Sequence, residues 1–559
     1  CKTASDMALP FVAVGLFYRR GYFRQAIDAD GHQEHGYFNL DPARLPLRRV
    51  IDPQGEQLTV AVELPGRTVH AAVWLVQVGR VPLLLLDTDV PENDEADRPI
   101  SHILYVRGRE MRLHQELILG IGGVRALRKL GVSPSVWHLN EGHSAFMLVE
   151  QARELVAGGA SLDAALARVR SGSVFTIHTP VPAGNERFSA DLVRDLTAPV
   201  LGDTLDVERV LQMGLGVEGD ASMFDMTAYA LRNTSAANGV SKLHGGVANE
   251  TWQSLIDHPI VGITNGVHPP TWVGRAMRPI YAEIGGDLDH QENETEETRF
   301  WDRMNLVEDR DLWRAHLEQK QALQEYARIR LRRQLARHGE APETLAELGE
   351  ILDPQVLTIG FARRMATYKR AALLFSDPER VTRLITDPER PVQFVFAGKA
   401  HPADRPGQGV IQTLFEHSRS DALRGRIFIL EDYDMRVGRH LVQGVDVWLN
   451  NPRRPLEASG TSGMKAAMNG VPNLSILDGW WDEGYKVDNG WAIGGRDPDP
   501  DEGAQDWADA QYLYRMLVEE VVQWWYERDA DGLPQRWLYR MRRAASTALW
   551  DFSTTRLLV

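Results

Sequence analysis

Residues 445–465 read VDVWLNNPRRPLEASGTSGMK, an apolar run followed by a polar segment and a loop of small residues that ends at a lysine. The apolar run predicts a buried strand, and the glycine-containing loop leads into a helix predicted to begin near Lys465. Small residues let backbone N–H groups approach an oxyanion closely, and Ser459, Thr461 and Ser462 add hydroxyl donors. The stretch therefore predicts one unit of an open α/β sheet, whose ligands bind beyond the carboxyl ends of the strands.

Strand and helix patterns alternate along the rest of the chain. Strand candidates of the first half are FVAVGLFY (11–18), AAVWLVQV (71–78), VPLLLLDT (81–88), SVWHLN (135–140) and SVFTIHT (173–179). Those of the second half are VLTIGFA (356–362), VQFVFAGK (392–399), RIFILEDY (426–433) and PNLSIL (472–477). This alternation predicts parallel sheets in two Rossmann-like domains. We place them at residues 1–268 and 269–559, with a long charged helical connector over about 299–340.

Composition excludes several classes of protein. The 559 residues carry a formal net charge of −15, which argues against a general nucleic-acid binder because such proteins need surplus Lys and Arg. The single cysteine, Cys1, rules out a disulfide within the chain and suits a reducing cytoplasm. Every apolar run is too short to span a bilayer, so no membrane partner is expected.

A second loop with the character of an anion site is GFARRMATYKR (360–370), which follows the strand pattern VLTIG. Arg363, Arg364 and Lys369 would lie beside the N-terminus of a helix predicted over AALLF (371–375), where free N–H groups also favour a phosphate. A solvated basic face is the alternative for this cluster taken alone. With two such loops in one domain, Lys465 could form a Schiff base with an aldehyde cofactor such as pyridoxal phosphate.

Polar residues also follow two strand patterns of the first half. VWHLNEGHSAFM (136–147) contains His138, Asn140 and His143, and FTIHTPVPAGN (175–185) contains His178 before a proline-fixed turn. No metal site is predicted, because Asn-Glu-Gly breaks the helix that would align two imidazoles. A sugar-binding or domain-cleft role fits the first cluster better than its alternative, a helix-capping network, whereas a lone histidine such as His178 is more often structural.

The stretch TNGVHPPTW (264–272) is also polar and loop-like. Asn265 could bond a sugar hydroxyl, and Trp272 could stack on a ring. A plain turn followed by a buried tryptophan explains the stretch better when it is considered alone.

Taken together, EASGTSGMKAAMNG, GFARRMATYKR, TNGVHPPTW, LNEGHSAF and NGVSKLHG resemble the α-glucan phosphorylase family, which includes glycogen, starch and maltodextrin phosphorylases. The family carries EASGTxxMKxxxNG around its pyridoxal phosphate lysine. VAVGLFYRRGYFRQ and HTPVPAGN are similar to its shorter bacterial and archaeal branch. The resemblance implies an α/β protein of GT-B architecture, with two Rossmann-like domains and the active site in the cleft between them.

The activity implied by this resemblance is that of a hexosyltransferase of the glycogen phosphorylase type. Such an enzyme reversibly transfers the terminal glucose of an α-1,4-glucan such as glycogen or maltodextrin to orthophosphate, giving α-glucose 1-phosphate with retention. The family uses the phosphate of pyridoxal 5′-phosphate, rather than its ring, for proton transfer. A homodimer is left open.

The resemblance also implies a role for each site residue, carried over by position. Lys465 would hold the cofactor, and Arg364 and Lys369 would bind the substrate phosphate, so that these three are the catalytic residues. Further cofactor-binding residues would be Thr461, Ser462, Gly463, Trp272, Arg363 and Tyr433. Substrate-binding residues would be Glu457, Ser459, Gly460, Asn265, Tyr368, His178 and Asn140, with no proton transfer assigned to His178.

Two features depart from the family pattern. Ser462-Gly463 replaces the Gly-Asn of the animal enzymes and leaves the lysine in place. The family's glycine-rich loop, which supplies backbone amides near the phosphates, would precede Cys1, and DFSTTRLLV (551–559) stops within a helical pattern. We therefore expect a fragment truncated at both ends.

Two other functions compete with phosphorolysis. A nucleotide-sugar glucosyltransferase such as a glycogen or starch synthase shares the fold, but many of these carry Glu-x7-Glu at this loop to contact the nucleotide ribose. Here the spacing is Glu457-x7-Lys465, and a lysine cannot accept a hydrogen bond from a ribose hydroxyl. The second alternative is a glucan-binding protein that has lost catalysis, or a catalytically weak glucan-binding fragment. Arg364, Lys369 and Lys465 argue against inactivation of the parent enzyme, though not of the truncated chain.

Overall fold

The computed structural model describes residues 1–180, 184–285, 288, 300–349 and 351–559. Backbone contacts divide the chain into two compact units. The first comprises Cys1–Phe23 and Tyr37–Ile263, and the second comprises Arg24–Gly36 and Thr264–Val559. These units differ from the predicted domains 1–268 and 269–559 by a few residues at the changeover and by the segment Arg24–Gly36. The two predicted domains stay a prediction.

The second unit is built on a six-stranded sheet in which all neighbouring strands are parallel. In chain order the strands are Leu357–Ala362, Val392–Ala397, Ile427–Leu430, Val447–Asn450, Asn473–Ile476 and Gly490–Ile493. Their order across the sheet is 3-2-1-4-5-6, the doubly wound order of a Rossmann fold. The direction of winding reverses between the first and fourth strands, where Ile359 lies opposite Val447.

Almost every residue of this sheet is buried. Strands covered on both faces have no solvated side to accommodate polar residues, which explains their continuous apolar runs. The helices of the second unit are Pro269–Trp272, Met277–Glu283, Asp309–Arg337, Pro342–Glu347, Pro378–Ile385, Arg405–Arg419, Met435–Gly444, Thr461–Ala467, Trp480–Gly484, Glu502–Met516, Val522–Tyr526, Gln535–Asp551 and Thr554–Leu558. A hairpin of Arg24–Ile27 and Gln33–Gly36 completes the unit.

The predicted charged connector contains the 3-10 segment Phe300–Leu306 and the helix Asp309–Arg337, the longest helix among the described residues. Residue 299 lies outside the described residues. The helix buries Leu312, Leu323 and Leu331. Leu312 belongs to one apolar core of the second unit, and Leu323 and Leu331 belong to the other.

The first unit contains two larger sheets. One has four parallel strands, Trp137–Asn140, Ser173–Thr176, Ala236–Gly239 and Ile260–Gly262. The other is mixed and contains Ala13–Leu16, Arg48–Arg49, Thr59–Leu64, Arg67–Val78 and Val81–Asp87. A short antiparallel pair joins Arg187–Ser189 to Met223–Asp225. The helices are Lys2–Asp6, Arg109–Leu117, Gly123–Lys129, Phe146–Ala157, Leu162–Ser171, Ala190–Leu201, Val207–Met213, Met226–Arg232 and Lys242–Trp252.

The prediction of parallel strands throughout the first half is wrong for the mixed sheet. Arg67–Val78 and Val81–Asp87 pair antiparallel, with Val78 opposite Val81. Only Gly79 and Arg80 connect these strands, whereas a parallel pair needs a crossover of a dozen or more residues. The spacing of the two apolar runs in the sequence therefore required a hairpin.

Two local predictions in the second unit are also wrong. The stretch AALLF forms no α-helix, because 3-10 turns occupy Thr367–Lys369 and Leu373–Phe375 and the next α-helix begins at Pro378. Left-handed backbone at Arg370, with φ +50°, separates these turns. The other helix begins at Thr461, four residues before the predicted position near Lys465. Among the described residues, no helix is both long enough and apolar enough to cross a bilayer.

Candidate active site

The two loops predicted to bind anions follow the two adjacent strands at which the sheet reverses its winding. Residues 363–370 follow Leu357–Ala362, and the loop that contains Glu457 follows Val447–Asn450. Open α/β sheets bind ligands in the crevice that forms at this point, beyond the carboxyl ends of the strands. Strand order thus brings both loops to one edge of the second unit.

Glu457 links the two loops through its carboxylate. It accepts a hydrogen bond of 2.7 Å from Arg363 Nη2 and another from Lys369 Nζ. All three side chains are nearly buried, with 12%, 6% and 10% of their surfaces exposed. Burial by itself raises the pKa of Glu457, but the charges of Arg363 and Lys369 outweigh it and lower that pKa below its usual value. Glu457 is therefore held ionised between two cations.

Lys369 and Arg363 lie close enough to affect each other. Burial, assisted by the positive charge of Arg363, lowers the pKa of Lys369 to about 8, while Glu457 opposes the shift. Lys369 consequently keeps most of its positive charge at pH 7. A second anion placed here would favour the charged ammonium further.

Arg363 and Ser459 have polar side-chain atoms that are buried without a partner among the described residues. These atoms are Nε and Nη1 of Arg363 and Oγ of Ser459. Leaving a buried polar group unpaired costs about 1–3 kcal/mol. A ligand with anionic and hydroxyl oxygens would supply the acceptors that these groups lack.

Lys465 lies on the helix Thr461–Ala467 and faces Trp272. Its Nζ is 4.1 Å from the centroid of the Trp272 ring, and no acceptor for this Nζ is found among the described residues. Burial lowers the pKa of Lys465 to about 8. More of this amine is therefore neutral at pH 7 than for an ordinary lysine, and the neutral amine is the form that attacks an aldehyde.

Asn469 holds Trp272 against the lysine helix, and the sequence analysis does not single it out. Its Nδ2 donates to the carbonyl oxygens of Trp272 and Lys465, at 3.0 and 2.9 Å. Its Oδ1 accepts from the backbone of Gly274 at 2.7 Å. The position of Asn469 within the motif MKAAMNG is the only sequence signal that could have identified it.

Small residues shape the start of the lysine helix. Gly460 has φ +81°, a left-handed conformation that glycine adopts without strain. Thr461 and Ser462 are half-buried in the first turn, and Ser462 Oγ accepts a 3.3 Å hydrogen bond from Trp448 Nε1. A Cβ at Gly463 would approach Asn473 Oδ1 to 2.4 Å. Gly463 therefore allows the helix to pack on the next strand, in addition to its predicted contact with a cofactor.

Asp478 is a second residue that the sequence analysis does not identify. Its Oδ2 accepts from the backbone N–H of Glu457 at 2.9 Å, and its Oδ1 accepts from Gly479 at 2.8 Å. The N–H of Trp480 donates to Ser459 O at 2.7 Å. Burial raises the pKa of Asp478 to about 7, and the nearby charge of Glu457 adds to the shift. Its place after the strand pattern PNLSIL is the signal that could have revealed it.

Two tyrosines lie in or near residues 363–370, the basic loop. The ring centroid of Tyr368 lies 4.7 Å from Lys369 Nζ. Burial raises the pKa of Tyr368 to about 12. Burial also raises the pKa of Tyr433, although the charge of Arg363 opposes it. Both phenols are neutral at physiological pH and can act as hydrogen-bond donors.

Arg364 and Asn265 lie outside the hydrogen-bonded cluster of Glu457. Arg364 is exposed, and its charge helps to lower the pKa of Lys369. Asn265 is half-buried, and its carbonyl oxygen accepts a 3.2 Å hydrogen bond from Arg556 Nη2.

His178 and Asn140 belong to the first unit, where they contact each other. His178 Nε2 lies 2.6 Å from Asn140 Oδ1. The N–H of His178 donates to Glu141 Oε2 at 2.8 Å, and Glu141 has a left-handed φ of +77°. Burial lowers the pKa of His178, which keeps the imidazole neutral at pH 7. Most of the predicted turn after His178, residues 181–183, lies outside the described residues.

The chain is similar to known proteins over most of its length. The family model for carbohydrate phosphorylases matches residues 91–481. The chain is 44% identical to a glycogen phosphorylase of Mycobacterium tuberculosis over 98% of its own length and 65% of that protein's. It is 42% identical to a maltodextrin phosphorylase of Thermococcus litoralis, with 100% and 66% covered. It is 39% identical to a glycogen phosphorylase of Aquifex aeolicus, with 100% and 80% covered.

The chain thus spans just under two thirds of the length of the first two relatives. The matched region includes the strands at which the sheet reverses its winding and both loops that follow them. The family model, the extent of the identity and the lysine loop after the fourth strand all lead to one assignment. This chain belongs to the carbohydrate phosphorylase family.

Proposed function

We propose that this chain carries the active site of an α-1,4-glucan phosphorylase, a glycosyltransferase that moves the terminal glucose of glycogen or maltodextrin to orthophosphate and gives α-glucose 1-phosphate. The observation that carries the proposal is the buried cluster of Arg363, Lys369 and Glu457 at the carboxyl edge of a doubly wound sheet, with Lys465 on the helix that follows the loop of Glu457. The identities to glycogen and maltodextrin phosphorylases support it. We further propose that the two units adopt the GT-B arrangement, with the glucan bound between them.

The residues of the site fit pyridoxal 5′-phosphate. Lys465 offers an amine with a lowered pKa beside the flat ring of Trp272. Arg363 has two buried nitrogens, Nε and Nη1, for which the described part of the chain offers no acceptor, and Thr461, Ser462 and Gly463 form the first turn of the lysine helix. Lys465 would hold the cofactor, and the other residues, with Tyr433, would surround it. When bound, the cofactor supplies a phosphate that exchanges a proton with the substrate phosphate.

In this proposal the substrate phosphate binds to the cations of the basic loop. Lys369 and Arg364 would bind it, and their charges would offset the repulsion between two phosphates brought close together. Glu457 keeps Lys369 and Arg363 in fixed positions before the substrate arrives, which lowers the cost of ordering them.

The glucose unit would be oriented by hydrogen bonds from both units. Glu457, Ser459 and Gly460 would bind its hydroxyls, with Asn265 and Tyr368 nearby in the second unit and Asn140 and His178 from the first. Ser459 Oγ lacks a partner among the described residues and is therefore available to a sugar hydroxyl. The bound glucose would also exclude water from the phosphate, which favours phosphorolysis over hydrolysis.

Two measurements test the proposed function. Borohydride reduction of the protein loaded with pyridoxal phosphate should fix a pyridoxyl group on the peptide that contains Lys465. Lys465→Ala should lose this label and reduce phosphate-dependent release of glucose 1-phosphate from maltodextrin by at least about 100-fold, since an anchored cofactor supplies acid–base catalysis of that size. Lys486 lies on a loop after Trp480–Gly484, and Lys486→Ala is the matched control. It should retain both the label on Lys465 and the release of glucose 1-phosphate.

Two results would contradict the proposal. An unlabelled Lys465 in the loaded protein would exclude it as the cofactor anchor. Glucosyl transfer that required ADP-glucose or UDP-glucose, with no response to orthophosphate, would assign the chain to the synthase class instead.

A further inference from the structure

Arg370, the residue after Lys369, has a strained backbone. Its φ of +50° and ψ of +44° lie in the left-handed region, which is disfavoured for a residue with a Cβ. Such a conformation persists only where surrounding contacts impose it. Arg370 is 6% exposed, so the contacts that impose it are contacts within the protein.

The guanidinium group of Arg370 donates four hydrogen bonds. Nε donates to Asn451 O at 2.8 Å, and Nη1 donates to Asp506 Oδ1 at 2.7 Å. Nη2 donates to Pro452 O and to Asp509 Oδ2, both at 2.8 Å. Asn451 Nδ2 donates in return to Arg370 O at 3.0 Å. Arg370 therefore connects the basic loop to the loop after the fourth strand and to the helix Glu502–Met516.

Asp506 reaches the basic loop by a second route through Arg453. Arg453 donates to Asp506 from Nε at 3.0 Å and from Nη2 at 2.6 Å. The backbone N–H of Arg453 donates to Tyr368 O at 2.8 Å. The carboxylate of Asp506 thus pairs directly with Arg370, which follows Lys369, and is connected through Arg453 to Tyr368, which precedes Lys369.

Asp506 has no part in the cluster of Arg363, Lys369 and Glu457. It lies on the second turn of the helix Glu502–Met516, and its side chain is 30% exposed. The charges of Arg370 and Arg453 outweigh the effect of burial and lower the pKa of Asp506 below its usual value. Asp506 is therefore an anion throughout the neutral range.

We propose that Asp506 is a positioning residue for phosphate binding: by pairing with Arg370 and Arg453 it holds residues 368–370 in the conformation that directs Lys369 toward the substrate phosphate. This inference rests on the proposed phosphorolysis. It concerns a residue that lies outside every sequence motif of the phosphate site and that acts only through the two arginines.

The test compares three forms of the protein loaded with pyridoxal phosphate: wild type, Asp506→Asn and Asp497→Asn. Asp506→Asn should raise the KM for orthophosphate about tenfold, because it weakens charge-assisted hydrogen bonds to two arginines, while the KM for maltodextrin stays within about twofold. The dissociation constant for orthophosphate, measured by calorimetry without glucan, should rise by the same factor. Asp497→Asn makes the same charge change at an exposed residue ahead of the helix and should alter neither constant.

Unchanged phosphate affinity in Asp506→Asn would overturn the inference. So would equal increases in both KM values together with a lower Tm, because these would indicate general loosening of the fold. If Asp506→Asn does not fold, Arg453→Lys replaces it, with the same expectation, since lysine loses the two-point contact with the carboxylate. A third outcome separates the two proposals. If wild type binds orthophosphate more tightly than Asp506→Asn does but releases no glucose 1-phosphate, the proposed function is contradicted and the inference is supported.

Discussion

Single residues at this site owe their charge states to burial. Lys369 and Lys465 have pKa values lowered to about 8, and Asp478 has one raised to about 7, each chiefly because the side chain is removed from water. The two lysines serve different purposes in the proposed function. Lys369 is paired with Glu457, which favours its charged form, whereas Lys465 lies against an aromatic ring and finds no acceptor for its Nζ among the described residues.

Asp478 makes the stability of the protein depend on pH. Its pKa in the folded state, about 7, is above the ordinary value of 3.8, so the folded state binds the proton more tightly than the unfolded state. This contribution to stability is complete below about pH 4 and is lost as the pH rises to about 7, with an upper limit of about 4 kcal/mol at about 1.4 kcal/mol per pKa unit.

Replacing Asp478 isolates this effect. In urea unfolding measured from pH 4 to pH 8, the free energy of unfolding of Asp478→Asn relative to wild type should increase with pH, because the amide does not ionise. Asp482 is a nearby aspartate whose side chain is less buried than that of Asp478, and Asp482→Asn is the control. A difference between Asp478→Asn and wild type that stayed constant over this range would contradict the raised pKa.

At the scale of elements, the helix Asp309–Arg337 is joined to the sheet by buried charges. Lys320 Nζ lies 2.6 Å from Asp446 Oδ2, and His316 Nε2 lies 2.7 Å from Asp446 Oδ1. Asp446 directly precedes the strand Val447–Asn450 and also accepts from the backbone of Thr358 at 2.7 Å. The contacts lie at the amino ends of the two central strands, opposite the edge that carries the candidate active site.

Breaking this buried pair should be costly. Lys320 and Asp446 are both 0% exposed, so Asp446→Ala, which leaves Lys320 without its counter-ion, should lower the free energy of unfolding by about 3–5 kcal/mol. Asp311→Ala, which breaks an exposed pair with Arg314 on the same helix, should cost about 1 kcal/mol or less. Chemical denaturation of wild type and the two variants measures both losses of unfolding free energy. Equal losses would show that burial does not set the cost of breaking an ion pair on this helix.

At the scale of the whole molecule, the proposed cofactor site lies within one compact unit. The candidate ligands Trp272, Arg363, Tyr433, Thr461 and Lys465 all belong to Thr264–Val559. A ligand that binds only the folded state stabilises it by about 2.7 kcal/mol at 100 times its dissociation constant.

Hydrogen exchange should show where this stabilisation acts. Adding pyridoxal phosphate should slow amide exchange more in the second unit than in the first, and most in peptides that cover 269–272, 363–369 and 457–469. Lys465→Ala should abolish the slowing at low cofactor concentration. Uniform slowing in both units, or slowing confined to the first, would place the cofactor elsewhere.

The sequence predicted the strands of the second unit well and some turns poorly. Runs such as VQFVFA are apolar throughout because parallel strands are buried on both faces, so the pattern is readable without the fold. The predicted helix at AALLF is wrong, because the stretch forms a 3-10 turn after Arg370, whose guanidinium group pairs with the distant residues Asp506 and Asp509. Local propensity contains no information about such a contact.

By itself, the sequence determined the α/β character of the second unit, the two loops that follow its central strands and, through EASGTSGMK, the family. Only the tertiary structure decided that Glu457 pairs with Arg363 and Lys369, that Asp478 contacts the loop that contains Glu457, and that residues 67–87 form an antiparallel hairpin. The physical reason is that apolar periodicity and loop composition are local properties of the chain. Burial, charge state and hydrogen-bond partners depend on residues that only folding brings together.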